Sequence, residues 1–293
     1  MSRPVPGGRR PGATSRARVR VFADGVEGPA RRDDLVTEEP LEVRLSAGGR
    51  TRTLAVTMRT PGHDFELAAG FLYGEGVVRT AADIRSIGYC TDPDLDVEQR
   101  YNVVTVQLAA AALPDLPALE RHFATSSACG VCGRAGLDVL HDRGFAPLPV
   151  GPPLDPGVLY DLPDRLRPAQ RLFAATGGLH AAGLFAGTGD LLAVREDVGR
   201  HNAVDKLVGQ ALLAGQLPLA GRILVVSGRA GYEIVQKAVV AGIPVVAAVS
   251  APSSLAVALA EEFGLTLVGF LRGRRCNVYA DPGRVRSEVS APG

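Results

Sequence analysis

Two cysteines, Cys129 and Cys132, are the residues whose type and spacing most directly suggest chemistry in this chain. They lie within residues 125–133, Thr-Ser-Ser-Ala-Cys-Gly-Val-Cys-Gly, where glycine and small side chains surround both thiols. Such neighbours leave the backbone free to move and the sulfur atoms accessible, whereas bulky apolar residues usually surround a structural cysteine. The pattern therefore predicts an exposed, mobile loop that presents two thiols.

Three kinds of chemistry use a Cys-x-x-Cys pair. A closed zinc site needs four ligands, usually two such pairs or one pair with spaced histidines, and this chain has one pair. Thiol-disulfide exchange needs the pair at the start of a helix in a small βαβ fold. A helix is predicted over residues 134–141, but the elements around it do not form the pattern of a small βαβ fold. In persulfide carriage, a thiolate activated by a helix N-terminus and arginines accepts a sulfur atom. The spacing alone does not decide which cysteine would carry it.

A second group of polar residues follows the predicted strands of the C-terminal half. Loops begin after residues 196, 227, 250 and 270, and the strands before them are largely apolar. Parallel sheets bind ligands at the carboxyl ends of their strands, and turns rich in glycine and arginine before helices suit phosphate groups. The side chains predicted to bind an anionic ligand with several phosphates are Arg200, His201, Arg229, Ser250, Arg272, Arg274 and Arg275.

Other signals are weaker. The chain has neither a G-x-x-x-x-G-K-[ST] loop nor a G-x-G-x-x-G turn after a strand, which argues against an ordinary ATPase or dinucleotide dehydrogenase. His180, at the start of a predicted strand, fits a core position as well as a site position. Cys90 and Cys276 have no cysteine partner nearby in sequence, and Cys276 is interpreted as a small buried thiol.

The spacing of apolar residues predicts the elements that must position these groups. Predicted strands cover residues 18–22, 39–45, 51–59, 101–108, 179–185, 191–196, 222–227, 245–250 and 265–270. Predicted helices cover residues 65–73, 81–87, 162–175, 200–213, 232–241 and 253–263. Asp64 is expected to cap the first helix, and Ala47-Gly48-Gly49 to form a hairpin turn. In the C-terminal half, the alternation of apolar strands with helices predicts an α/β fold with a sheet covered on both faces.

The chain of 293 residues is predicted to have four parts. Residues 1–15, rich in proline, glycine and arginine, form a disordered basic tail, and residues 16–124 a small α+β domain. Residues 125–280 form a larger α/β domain with the Cys-x-x-Cys loop at its start, and residues 281–293 a flexible tail. A net charge of +1 gives no reason to expect a nucleic-acid partner. The lack of an apolar run of roughly eighteen residues argues against a membrane partner. Four sparse cysteines favour a cytoplasmic location.

Four segments closely resemble the formate dehydrogenase accessory sulfurtransferases (FdhD), and the resemblance extends over residues 35–279. The segments end at residues 133, 206, 237 and 279. They read Ser-Ser-Ala-Cys-Gly-Val-Cys-Gly, Asp-Val-Gly-Arg-His-Asn-Ala-Val-Asp-Lys, Ser-Gly-Arg-Ala-Gly-Tyr-Glu-Ile-Val-Gln-Lys and Gly-Phe-Leu-Arg-Gly-Arg-Arg-Cys-Asn-Val-Tyr. As a combination, these motifs are specific to that family.

The resemblance implies a sulfur carrier. Such a protein takes sulfur as a persulfide from a cysteine desulfurase and delivers it to the molybdenum or tungsten bis(molybdopterin guanine dinucleotide) cofactor. The cofactor is bound as the acceptor, and formate dehydrogenase then receives it. By the family pattern, Cys129 is the persulfide intermediate and Cys132 its helper. The segment that matches the family's cofactor-binding stretch is Phe270, Leu271, Arg272, Gly273, Arg274 and Arg275.

The resemblance also implies a homodimer without a permanently bound metal, whose larger domain has a cytidine deaminase-like fold with a mixed sheet covered by helices. The deaminase reaction is not expected, because it needs H-x-E and then P-C-x-x-C. Here two alanines follow His180, and no proline precedes Cys129. Two alternative functions remain: a chaperone that holds the molybdenum cofactor while the cysteines are incidental, and a thiol-disulfide oxidoreductase.

Overall fold

The computed structural model describes residues 11–90, 92, 94–114 and 140–286. The chain begins with two small antiparallel ribbons. In these, β1 (Thr14–Val19) pairs with β4 (Arg31–Val36), and β2 (Phe22–Ala23) pairs with β3 (Val26–Glu27). Because β1 begins at Thr14, the end of the predicted disordered tail belongs to a strand. The first ten residues of that tail lie outside the described residues.

A four-stranded sheet follows in the N-terminal part. Its strands are β5 (Glu39–Ala47), β6 (Arg50–Arg59), β7 (Ile84–Tyr89) and β8 (Val103–Leu108), in the order β6-β5-β8-β7. Alternate side chains of β5 are buried, as the period of a strand with one covered face requires. The predicted β5–β6 hairpin is confirmed, and Gly48 and Gly49 both have the positive φ that its two-residue turn needs.

Helix α1 (Asp64–Gly74) covers this sheet, and α2 (Val97–Tyr101) precedes β8. The predicted helix over residues 65–73 is confirmed as α1, but the prediction that Asp64 caps it is wrong. His63, with a left-handed backbone, is the N-cap residue and makes no side-chain capping bond. The buried Asp64 carboxylate instead accepts hydrogen bonds from Arg59 at 3.1 Å and from the Tyr89 hydroxyl at 2.8 Å. Asp64 therefore joins α1 to the sheet.

The C-terminal part contains a mixed six-stranded sheet in the order β10-β9-β11-β12-β13-β14. Its strands are β9 (His180–Ala186), β10 (Leu191–Asp197), β11 (Arg222–Val226), β12 (Val245–Ala248), β13 (Thr266–Arg272) and β14 (Arg275–Ala280). Strand β9 is antiparallel to both β10 and β11, whereas β11, β12 and β13 are parallel. Strands β10 to β13 consequently point the same way, and their carboxyl ends meet at one edge. We call this the polar edge; it consists of residues 197–202, 227–231, 250–254 and 270–275.

Helices cover both faces of the larger sheet, as predicted. These are α3 (Pro156–Leu166), α4 (Arg171–Thr176), α5 (Arg200–Leu213), α6 (Tyr232–Val240) and α7 (Ser254–Glu262). Helices α5, α6 and α7 pack on one face, where Leu224 and Val226 of β11 are buried. Helix α3 packs on the other face with Ile223 and Val225. The alternation along β11 therefore gives each helix layer its own core.

Helices α1 and α5 join the N-terminal and C-terminal parts, and two glycines set how closely they approach. A Cβ atom added at Gly70 would lie 1.9 Å from the Asp205 carbonyl oxygen. A Cβ atom added at Gly209 would lie 1.8 Å from the Glu66 carbonyl oxygen. Arg195 of β10 also forms a two-armed ion pair with Glu66, which helps to lower the pKa of that carboxyl to about 2 against the effect of burial. The two parts are thus in direct backbone contact.

Two predicted helices are wrong in part. Only residues 81–83 of the predicted helix over 81–87 are helical, as a short 3-10 turn, and β7 follows directly. The predicted helix over 162–175 is two helices, α3 and α4, separated by a 3-10 turn that contains Pro168. Helix α3 ends at Leu166, although it contains Pro163 in its interior. Helix α3 begins earlier than predicted, with Pro156 at its first position and Asp155 as its cap.

Strand β14 was not predicted, and residues 281–286 were predicted to belong to a flexible tail. Strand β14 forms an antiparallel hairpin with β13 and closes one side of the sheet. The beginning of the predicted flexible tail, residues 281–286, packs against the fold, because the Arg284 guanidinium donates to the carbonyl oxygens of Pro149 and Gly264 at 2.6 and 2.7 Å. In the described residues, no helix has the length and apolar character needed to cross a membrane. The cytidine deaminase-like topology stays a prediction.

Candidate functional site

The predicted thiol pair lies outside the described residues. The structure therefore places neither Cys129 nor Cys132, and their roles stay predictions. The two described cysteines, Cys90 and Cys276, are partly buried. Burial raises the pKa of the Cys276 thiol, which packs against the core under α3. Both facts agree with the interpretation of Cys276 as a packing residue rather than a reactive one.

The loops of the polar edge contact one another through main-chain hydrogen bonds. His180 pairs with Asp197 across β9 and β10, and Ser227 follows β11 beside them, its amide donating to Ala181 at 3.0 Å. A bridge joins residues 230 and 252 between the next two loops. The amide of Phe270 donates to the Ser250 carbonyl oxygen at 3.2 Å. The sequence prediction that these four loops share one edge is therefore confirmed, while the binding roles of their residues stay predictions.

Four nitrogen-bearing side chains gather at one end of the polar edge. Arg200 and His201 begin α5, the exposed Arg229 lies between β11 and α6, and His180 begins β9. Half-burial of the imidazole lowers the pKa of His180, and the nearby Arg200, His201 and Arg229 side chains lower it further. Its ring lies against Gly228, where an added Cβ atom would be 3.1 Å from Nδ1. This end of the edge therefore combines two guanidinium groups with an imidazole, that of His180, whose pKa is lowered.

His201 is oriented by a carboxylate on the neighbouring helix. Its Nε2 atom lies 2.6 Å from Oε2 of Glu233, in the first turn of α6. The hydrogen bond from His201 lowers the pKa of Glu233 despite partial burial of that carboxyl. The contact ties the start of α5 to the start of α6, so two helix N-termini face the same end of the edge. Anions are stabilised at such positions.

The middle of the edge is formed by the loop after β12. Ser250 is partly buried, and its carbonyl oxygen is bonded to β13 as described above. The Ser253 side chain caps α7 by accepting from the Ala256 amide at 3.2 Å, so this serine has the structural role expected of a helix cap. An added Cβ atom at Gly269 would lie 2.9 Å from Cδ of Pro252, which explains the glycine at this close approach.

The segment matched to the family's cofactor-binding stretch contains residues of two kinds. Phe270 has a φ of 51°, a left-handed backbone that bulky residues rarely adopt, at a bulge in the β13–β14 pairing. Leu271 is fully buried in the core under α3, so any contribution it makes to binding comes from its backbone. Arg272, Gly273, Arg274 and Arg275 form the exposed hairpin turn.

The arginines of this turn are separated from the cluster around His180 by the loop after β12. The Arg274 guanidinium lies 5.5 Å from the ring centroid of Tyr160 on α3, on the face of the sheet opposite α5 and α6. The structure therefore brings together Arg200, His201 and Arg229, and it places the arginine turn at the other end of the same edge. Sequence reasoning left His180 undecided because its place depends on the antiparallel direction of β9.

A sequence model of the FdhD/NarQ family matches residues 36–286. The chain is 55% identical over 281 residues to the sulfur carrier protein FdhD of Streptomyces avermitilis, covering 95% of this chain and 98% of that protein. It is 49% identical over 268 residues to the sulfur carrier protein FdhD of Anaeromyxobacter dehalogenans, covering 88% and 90% of the two chains.

The fold of the chain is also similar to that of a solved structure. The chain is similar to a crystal structure described as a formate dehydrogenase accessory protein from Desulfotalea psychrophila, with a TM-score of 0.70 at 27% identity. The similarity covers 94% of this chain and 100% of that one. Both the N-terminal and the C-terminal sheet are therefore part of a shared architecture.

Proposed function

This chain belongs to the FdhD/NarQ family, and we propose that it is a sulfur carrier that serves formate dehydrogenase. It accepts sulfur as a persulfide from a cysteine desulfurase. It delivers the sulfur to molybdenum bis(molybdopterin guanine dinucleotide), its bound substrate, which then passes to formate dehydrogenase. The names of its relatives support sulfur carriage and an accessory role. The observation that carries the proposal is the cluster of Arg200, His201 and Arg229 at the polar edge of a chain with a Cys-x-x-Cys pair.

Sulfur transfer is assigned to Cys129, with Cys132 as its helper. The Cys129 thiolate attacks the terminal sulfur of the donor's persulfide, so a new S–S bond forms while the donor's bond breaks and the donor leaves as a thiolate. The Cys132 thiolate then attacks the inner sulfur of the Cys129 persulfide, which releases hydrosulfide for the metal and leaves a disulfide. A dithiol reductant supplies the two electrons that restore both thiols.

The polar edge is assigned to the phosphates of this substrate. Guanidinium groups donate paired hydrogen bonds to phosphate oxygens, and backbone amides at helix N-termini favour negative charge. Arg200 and Arg229 supply guanidinium groups at one end of the edge, and the turn at residues 272–275 supplies them at the other. The uncharged His180 ring supplies a hydrogen-bonding group that adds no charge.

The proposal is tested by replacing the persulfide-bearing residue in a host that lacks the native protein. We expect Cys129→Ala to abolish the host's formate dehydrogenase activity, because the variant lacks the thiol that is proposed to carry the persulfide. Guanosine diphosphate, a fragment of the proposed substrate, should bind this variant as tightly as wild type in isothermal titration calorimetry. Cys90→Ala is the control, since this partly buried thiol after β7 lies outside the proposed site. Normal enzyme activity with Cys129→Ala would rule out the persulfide role.

Two alternatives predict different results. A chaperone that only holds the cofactor would support formate dehydrogenase activity without Cys129. A thiol-disulfide oxidoreductase would reduce an insulin-like disulfide substrate with repeated turnover, whereas a sulfur carrier would not. The homodimer expected from the family resemblance stays a prediction.

A further inference from the structure

The end of strand β6 lies directly against the first loop of the polar edge. This strand belongs to the N-terminal sheet, and residues 57–60 contact residues 197–202 of the C-terminal part. The Asn202 side chain donates to the Met58 carbonyl oxygen at 2.7 Å, and the Thr57 hydroxyl lies 3.4 Å from the Asn202 amide oxygen. The loop that leads into Arg200 and His201 is therefore held by a segment distant in sequence.

Thr60 makes three hydrogen bonds with the C-terminal part, and it is 1% exposed. Its amide donates to Oδ2 of Asp197 at 3.2 Å, and its hydroxyl oxygen accepts from the Val198 amide at 3.1 Å. Its carbonyl oxygen accepts from Nζ of Lys206 at 2.9 Å. The amide, hydroxyl and carbonyl groups of this buried threonine therefore all form hydrogen bonds with the loop or with the helix that follows it.

The loop is also fixed from within by a buried ion pair. Nζ of Lys206 lies 2.6 Å from Oδ2 of Asp197, and both side chains are essentially inaccessible to water. Oδ1 of Asp197 accepts from the Gly199 amide at 2.8 Å and from the Asn202 side chain at 3.0 Å. The main chain at residues 198 and 199 is therefore held from two sides immediately before Arg200.

We propose that Thr60 is a positioning residue for the first loop of the polar edge, residues 197–202. The N-terminal sheet would thereby complete the anion site without contacting the ligand. This role rests on the proposed binding function of the polar edge. Without the Thr60 hydroxyl, the partly buried Val198 amide loses its acceptor, and the loop can rearrange to satisfy that amide with another partner. Arg200 and His201 then occupy a wider range of positions in the free protein. Fixing them on binding costs conformational entropy, which reduces the affinity for an anion.

Thr60→Val tests the role, because valine has nearly the same shape and lacks only the hydroxyl acceptor. We expect guanosine diphosphate to bind about five- to tenfold more weakly than to wild type, because binding must then order the loop. Hydrogen exchange at the amides of residues 198–202 should be faster. Thr60→Ser keeps the hydroxyl and should restore both the affinity and the slow exchange.

Thr266→Val is the matched control. Thr266 is as buried as Thr60, and its hydroxyl makes hydrogen bonds with Asp281 at 2.6 Å and Arg284 at 3.1 Å. It begins β13 at the end of the sheet opposite the polar edge. This variant should lose thermal stability as Thr60→Val does, yet bind guanosine diphosphate with unchanged affinity. The comparison separates positioning from a general loss of stability.

Two results would overturn the positioning role: wild-type affinity and exchange in Thr60→Val, or an equal loss of affinity in Thr266→Val. If Thr60→Val does not fold, Asn202→Ala removes the contact to Met58 and must weaken binding instead; unchanged affinity would again overturn the role. A wild-type protein with no affinity for guanosine diphosphate would contradict the proposed function. Hydrogen exchange in Thr60→Val would then still decide whether Thr60 orders the loop.

Discussion

At the residue scale, contacts among the side chains of the polar edge set its charge. His201 is held by Glu233, and half-burial together with nearby positive groups lowers the pKa of His180. At neutral pH the edge therefore combines the permanent charge of its guanidinium groups with an uncharged imidazole. A guanine nucleotide, which has both phosphates and neutral hydrogen-bonding groups, matches such a combination.

Replacement of Arg229 is the simplest test of anion binding at the polar edge. It is exposed between β11 and α6, so its replacement leaves the core intact. We expect Arg229→Ala to weaken the binding of guanosine diphosphate about tenfold, because a charge-assisted hydrogen bond contributes about 1.5 kcal/mol or more. Isothermal titration calorimetry at low ionic strength measures the change.

Arg222→Ala is the control for this substitution, since Arg222 begins the same strand at the opposite edge of the sheet. It changes the net charge by the same amount and should leave the affinity unchanged. Equal losses for the two variants would point to a general charge effect. An unaltered affinity in Arg229→Ala would remove this residue from the site.

The sequence places the arginines of the candidate site but leaves His180 unassigned. Arg200 and Arg229 follow apolar strands directly, and the shared direction of those strands brought them to one edge. His180 could not be assigned, because a local pattern does not reveal that β9 runs antiparallel to its neighbours. Leu271 was included with its segment, although its side chain alternates into the core.

At the element scale, local periodicity predicted the elements that have a strong pattern. The β5–β6 hairpin and helices α1, α5, α6 and α7 were all predicted within a few residues. Strand β14 was missed because Arg275 and Asn277 interrupt its apolar pattern, and it is stabilised by pairing with β13. Strand β7 was mistaken for a helix because three of its side chains are only partly buried and its pairing with β8 is non-local.

The contact between α1 and α5 is the element-scale feature with the sharpest steric requirement. In the interior of a free helix, alanine in place of glycine stabilises by about 1 kcal/mol. We expect Gly209→Ala to destabilise the protein by about 3 kcal/mol instead, because the new Cβ atom would meet the backbone of Glu66 and push the helices apart. Urea denaturation measures the difference in the free energy of unfolding.

Gly74→Ala is the comparison for this prediction. Gly74 lies in α1, and an added Cβ atom there would be no closer than 3.5 Å to its nearest neighbour, a lysine side-chain nitrogen. This variant should keep or slightly increase the free energy of unfolding. A Gly209→Ala protein as stable as wild type would show that the two helices are free to separate.

At the scale of the whole molecule, the end of strand β6 in the small N-terminal sheet contacts the polar edge of the larger C-terminal sheet. The sequence predicted both parts and the α/β class of the second. It could not predict that residues 57–60 hold the loop at 197–202, because hydrogen bonds over such separations leave no periodic signal. The direct contact of α1 with α5 makes the arrangement of the two parts a fixed feature of the fold.

The central claim is that this chain carries sulfur on Cys129, and mass spectrometry of the peptide that contains residues 125–133 tests it most directly. After incubation of the protein with a cysteine desulfurase and cysteine, the account predicts that this peptide gains the mass of one sulfur atom, located on Cys129. The added mass should disappear on treatment with cyanide and be absent in Cys129→Ala. A peptide that gains no sulfur, with the desulfurase shown to be active, would contradict the account.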